Sequence, residues 1–388
     1  MKPTELLHMP NTIYRSILPL AISTLILIGI IGCATSDSTQ EVEQDLTSTV
    51  ESPVTEDTRT GLEPGVFDDH TREIPNSRQL VDLVAIPGGS FLMGSTENGQ
   101  SEVELDPFWI SRYEITWDQY NLFLEDSIED LRRELYRVFY GVDIETADAI
   151  SAPTWTEEML EVLRESEIPA DVISIPSPSW GDLTGGMGTS GYPAINITHY
   201  AALMFTKWLT IKTGDFYRLP TEAEWEFACR AGNYGNYFPF YSSQLDEYAW
   251  HRGNSDRSYH RVDSKQPNPF GIHNMIGNVA EWTMDQFFED YHDRLDGSPA
   301  VNPWFKPDQL YPRSVRGGSW MDQPEAASCL QRRGSDPSWK RNDPQLPKSL
   351  WWHTNAFHIG FRIVKPKNQP ENVEEMEKYW IEAIQDYF

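Results

Sequence analysis

The chain has 388 residues, with 59 acidic and 31 basic side chains and a formal charge of −28. Phosphate binding needs a basic face, so this balance argues against a nucleic-acid partner. An apolar share of 39%, 12% aromatics with 14 Trp, and 25 Gly plus 27 Pro describe a loop-rich, aromatic-filled globular domain rather than a helical bundle.

Ser16 to Ile31 is an uninterrupted apolar run behind Lys2 and Arg15. It is short for a bilayer span of roughly 20 residues and suits an export signal. The run ends in Ile30-Ile31-Gly32-Cys33, which resembles a bacterial lipobox. That resemblance implies a signal peptide over 1–32, lipidation of Cys33, and a lipid-anchored location in the bacterial cell envelope, with the membrane as a partner. Ala34 after the cysteine points to the outer membrane. From Ala34 to His70 there are ten acids and one base, Arg59. So few large apolar residues cannot offset the ordering entropy, and residues 33–80 read as an acidic, disordered and extended tether.

The folded part is expected over 81–366. Val84–Gly94 reads as two strands around Pro87-Gly88-Gly89, and Phe108–Ile115 as a third. Thr116 with Gln119 forms a capping box. Pro193–Ile197 reads as a short strand. Thr198 caps a helix that ends at Gly214, with Ala201, Met204, Trp208 and Ile211 on one face. Thr221 and Glu224 form a second capping box in Arg218-Leu219-Pro220-Thr221-Glu222-Ala223-Glu224-Trp225-Glu226, and Gly232 stops that helix. Then come Asn274-Met275-Ile276-Gly277-Asn278-Val279-Ala280-Glu281-Trp282, Arg316-Gly317-Gly318-Ser319-Trp320 and Ile359-Gly360-Phe361-Arg362-Ile363-Val364. Residues 367–388 pattern as an amphipathic helix through Val373, Met376, Trp380, Ala383 and Ile384, which either docks on the domain or meets a partner.

This ordered series resembles the formylglycine-generating-enzyme, or sulfatase-modifying-factor, family. The resemblance implies an α+β, modified C-type-lectin-like fold with little regular secondary structure. Two stretches depart from the family pattern as insertions. Residues 126–191 read as a helical hairpin or a lid. Gly334–His358 holds Trp339, Trp351 and Trp352 close to Trp320, either as core or as a stacking surface.

Three cysteines are present. With Cys33 assigned to lipid, Cys229 and Cys329 read as a disulfide, as two free buried thiols or as a catalytic thiol. The resemblance favours the disulfide, because cysteines at the matching positions form a structural bridge in vertebrate members. Oxidising members carry two Cu(I)-binding cysteines just after the Gly-Gly-Ser stretch. Here Asp322 stands in place of the first, and nothing up to Ser328 supplies the second. A hard carboxylate does not replace a thiolate toward Cu(I), so copper is not expected. Ala280 also replaces a tryptophan beside the family's pocket.

The resemblance implies structural Ca²⁺ at Asn274, Gly277, Val279 and Glu281, whose side-chain and backbone oxygens are hard donors. Asn254 matches a residue of the family's other calcium site. With no catalytic residue assigned, Ser319, Trp320, Asp322 and Arg332 are the groove candidates. The expected function is a membrane-anchored binding or scaffolding lipoprotein whose groove takes a peptide, protein or glycan. The alternatives are a formylglycine-generating-type oxidase, another metal-dependent oxidase, or a component of a gliding or secretion machinery.

Overall fold

The computed structural model describes residues 67–97, 99–126, 182–232, 242–346 and 348–380. The apolar run, Cys33, most of the first insertion and the last residues of the C-terminal helix lie outside the described residues. Among the described residues no helix is long and apolar enough to cross a membrane.

Three small sheets and a few helices form an α+β fold. The first sheet has the order β1-β2-β5-β11, built from His70–Glu73, Leu80–Ile86, Phe108–Ser111 and Val364–Pro366. The hairpin of β3 (Gly89–Ser95) and β4 (Gly99–Leu105) pairs with β7 (Ala300–Val301). The third sheet runs β10-β6-β8-β9, from Ile359–Gly360, Ala280–Gln286, Arg313–Arg316 and Arg332–Gly334. β1 pairs antiparallel with β2, His70 opposite Leu83. Ordered structure therefore begins inside the stretch expected to be tether, because Phe67 and Ile74 are buried and give that segment apolar contacts.

Both capping boxes form. Gln119 N–H donates to Thr116 Oγ1 at 3.3 Å and Thr116 N–H to Gln119 Oε1 at 2.8 Å. Thr221 Oγ1 accepts from Glu224 N–H while the Glu224 carboxylate accepts from Thr221 N–H, starting α2 (Glu222–Cys229). Thr198 caps α1 (His199–Thr213), and Gly214 ends it at φ 77°. The expected face of α1 is only half right. Ala201 and Trp208 are buried and Met204 is half-buried against the core, but Ile211 is 72% exposed. Pro193–Ile197 makes isolated bridges from Pro193 and Ile197 instead of a strand, since Asn196 sits at φ 59°, which breaks extended backbone.

Trp339, Trp351 and Trp352 are 8%, 7% and 5% exposed, so they are core and not an open stacking surface. α3 (Val373–Trp380) docks on the domain. Trp380 Nε1 donates to Tyr217 O, Lys207 pairs with Glu377, and Tyr379 stacks on Trp304. Cys229 and Cys329 are bonded, with Cα atoms 5.7 Å apart across a separation of 100 residues. In the chain-entropy view a loop of that length stabilises the fold by about 4–5 kcal/mol.

Candidate functional site

The acids of the Thr221–Glu226 stretch are consumed inside the fold. Glu224 pairs with Arg218. Glu226 binds Arg230, Arg316 and the Gly94 N–H. Glu222 takes Arg316 at 2.9 Å and Arg332 at 2.6 Å. Burial alone would raise Glu222, but Arg332 and Arg316 outweigh it and lower the carboxyl to about 2. Asp285, beside it, is pushed up to about 8, first by burial and then by the Glu222 charge, with bonds from the Phe305 and Glu222 N–H groups holding it partly back.

Arg332 therefore belongs to this buried cluster and not to the expected groove. It also lines a separate cavity of about 330 Å³ with Gly94, Glu226 and His292. Successive residues of a strand point to opposite faces, so the neighbouring Arg333 points away from this cluster and reaches Asp322. Its Nη2 donates to Asp322 Oδ1 at 2.5 Å, and Ser319 Oγ donates to Asp322 Oδ2 at 2.6 Å. Gly317-Gly318 shapes the turn that brings Ser319 there. Gly318 sits at φ +71°, and a Cβ would lie 2.1 Å from Ala326 O. The loop is pinned by Trp320 N–H to Asn278 O, Arg252 N–H to Asp322 O and Ser255 Oγ to Trp320 O. Trp320 Nε1 donates to Phe357 O, and Met321 beside it is 47% exposed.

His358 borders the same cluster. Its ring is held down at about 4, by burial first and the Arg333 charge second, with Asp322 pulling the other way. Its Nδ1 is buried with no hydrogen-bond partner among the described residues. Ser319, Trp320 and Asp322 thus sit on one loop, with Ser319 and Arg333 bound to the Asp322 carboxylate and His358 within reach of both charges. Sequence reading could reach Arg333 only through strand parity in a three-residue strand, and nothing local marked His358.

The calcium residues divide. Asn274 Oδ1 is buried with no hydrogen-bond partner among the described residues, a hard donor. Glu281 is not open. Its oxygens accept from Arg362 Nε and Nη2, each at 2.6 Å, and from Trp225 Nε1 at 2.7 Å. A bidentate guanidinium cancels the carboxylate charge a dication would need, so as a set Asn274, Gly277, Val279 and Glu281 do not fit Ca²⁺. Gly277, at φ +74°, instead lets the chain pass the Trp250 backbone, where a Cβ would meet the Trp250 carbonyl at 2.4 Å. Val279 is core, 1% exposed. Asn254 holds a turn, accepting from His251 N–H and donating to Asp246 and Ala249 O. Sequence reading also missed Glu114, taken only as part of a strand. It accepts from Asn274 and Asn278, and burial, eased by Arg362 and reinforced by Glu281, raises it to about 7.

Residues 70–344 match the sulfatase-modifying factor enzyme 1-like domain. The chain belongs to that family. It is 27% identical over 275 residues to the formylglycine-generating enzyme of Thermomonospora curvata, covering 62% of this chain and 82% of the relative. It is 26% identical over 266 residues to the serine/threonine-protein kinase pkn1 of Chlamydia pneumoniae, covering 66% of this chain and 36% of that protein. The chain therefore spans little more than a third of that relative. Among solved structures, Treponema denticola variable protein 1 superposes with a TM-score of 0.50 at 20% identity, covering 77% of this chain and 99% of the other, a likeness of fold.

Proposed function

We propose that this member of the sulfatase-modifying-factor family is a binding or scaffolding protein, held at a membrane through lipidated Cys33 in a bacterial cell envelope, and that its groove engages a peptide, protein or glycan without the oxidase reaction. The carrying observation is the fate of sulfur and carboxylate at the groove. Of three cysteines, two are bonded to each other. Asp322, at the place of the first copper ligand, is neutralised by Arg333 and fixed by Ser319. Cu(I) prefers soft thiolates, and an ion-paired carboxylate offers neither softness nor net charge. What remains is a preorganised polar patch beside Trp320 and exposed Met321, suited to hydrogen bonding and apolar contact.

A formylglycine-generating-type oxidase is the second reading, favoured by the name of the Thermomonospora relative. One assay separates the two. Full-length protein supplied with Cu(I), oxygen and a Cys-x-Pro-x-Arg peptide is followed for aldehyde by mass spectrometry. The binding reading expects the peptide mass unchanged, and catalytic turnover to the aldehyde would sink it.

A further inference from the structure

The two segments that depart from the family pattern meet. Asp182 at the end of the first insertion, and Asn342, Gln345, Trp352, Thr354 and Phe357 from the second, line a cavity of about 270 Å³. Ligand pockets commonly run from roughly 300 to 1,000 Å³, so this one holds a single ring-sized group.

Its rim is built rigidly. Asp343, only 5% exposed, accepts from Gln345 N–H at 2.9 Å and Ser349 N–H at 2.6 Å. Buried Lys340 donates to Ser349 O at 2.6 Å, and Lys348 to Asp343 O. The Asn342 N–H is anchored by Thr354 Oγ1 and Asn355 Oδ1. Such bracing lowers the ordering entropy a ligand must overcome. By contrast the Asn342 and Gln345 side-chain amides make no hydrogen bond to a described residue. Half-buried Phe357 gives the cavity an aromatic wall.

The lining contains no Lys, Arg or His, and Asp182 adds a carboxylate, so anions are disfavoured. Free amides pair with vicinal hydroxyls, which need donor and acceptor together, while an aromatic wall takes an apolar C–H face. A neutral hexose has both a hydroxyl edge and a C–H face. We infer that this cavity, made by the two insertions, is a binding site for a neutral sugar ring. The inference rests on reading the chain as a binding protein and names one ligand class for it, at a site next to the groove, since Phe357 also receives the Trp320 indole N–H.

The test is saturation-transfer NMR and calorimetry on detergent-purified full-length protein, with glucose, galactose, mannose and N-acetylglucosamine as probes and the peptide Gly-Lys-Gly as competitor. At least one sugar is expected to bind with a Kd on the order of 1 mM. Asn342→Ala and Gln345→Ala, both on the rim and outside the core, should each weaken it by about 5–10-fold with the melting temperature unchanged. The proposal is overturned if no probe binds at about 50 mM, if binding survives both substitutions, or if Gly-Lys-Gly displaces the sugar. The aldehyde assay reads the groove alone, so failure of the sugar site leaves that reading standing, and aldehyde formation removes it whatever the sugars do.

Discussion

The Glu222–Glu226 cluster and the Ser319–Asp322–Arg333 patch are built from the same kinds of side chain, yet they do opposite things. In the cluster, Glu222, Glu226, Arg230 and Arg316 are almost wholly buried, and the carboxylates spend their acceptors on one another's guanidinium partners and on the Gly94 N–H. In the patch the pair is partly open, with side-chain exposures of 34% for Arg333 and 16% for Asp322. The residues that make the family recognisable are thus mostly staples. The sites proposed for ligands lie instead at Asp322 and along residues 182 and 342–357.

Breaking the frame should cost far more than breaking the patch. Replacing both Cys229 and Cys329 with serine should lower stability by about 4–5 kcal/mol, read by urea unfolding under non-reducing conditions. Arg316→Met leaves Glu222 and Glu226 short of a buried partner and should cost about 3–5 kcal/mol. Arg333→Met removes a pair that is partly screened by solvent and should cost about 1 kcal/mol or less. Equal losses at Arg316 and Arg333 would erase the distinction.

The pH dependence sharpens the same contrast. Asp285 and Glu114 are raised to about 8 and about 7, so the folded state keeps protons that the unfolded chain has released. The stability carried by these two carboxyls should therefore decline as pH rises from about 4 to about 8. The buried neutral rings of His199 and His358, held down to about 3 and about 4, work the other way and add stability as pH rises toward about 6.5. The depressed Glu222 acts oppositely, and its contribution is lost as pH falls from about 4 toward 2. Above about pH 7 the histidines no longer contribute, so a melting temperature higher at pH 8 than at pH 7 would contradict the direction given for Asp285. The smallest effect is expected from calcium. With Glu281 held by Arg362, EDTA or added Ca²⁺ should move the melting temperature by under about 2 °C, whereas a large Ca²⁺-dependent rise would show that the carboxylate is available after all.

Local signals carried the fold well. Capping by Thr116, Thr198 and Thr221 acts within one turn, so short sequence windows expose it. The failures were non-local. Nothing near Glu281 announces Arg362, 81 residues away, and Arg332 and Arg333 can be told apart only by the pairing of β9 with β8. The start of the ordered chain was misplaced because β1 is polar in sequence and owes its position to its partner strand. The cavity between the insertions was invisible for the same reason, as its lining joins residue 182 to residues 342–357.

The most direct measurement is a Cu(I) competition titration of the full-length protein, disulfide intact, against a colorimetric chelator under anaerobic conditions. On the proposed reading, in which an ion-paired aspartate stands where the family's thiolates would be, the chelator's copper should stay untouched at one equivalent of protein. Stoichiometric withdrawal of Cu(I), abolished by substitution at Asp322 or Ser319, would contradict it.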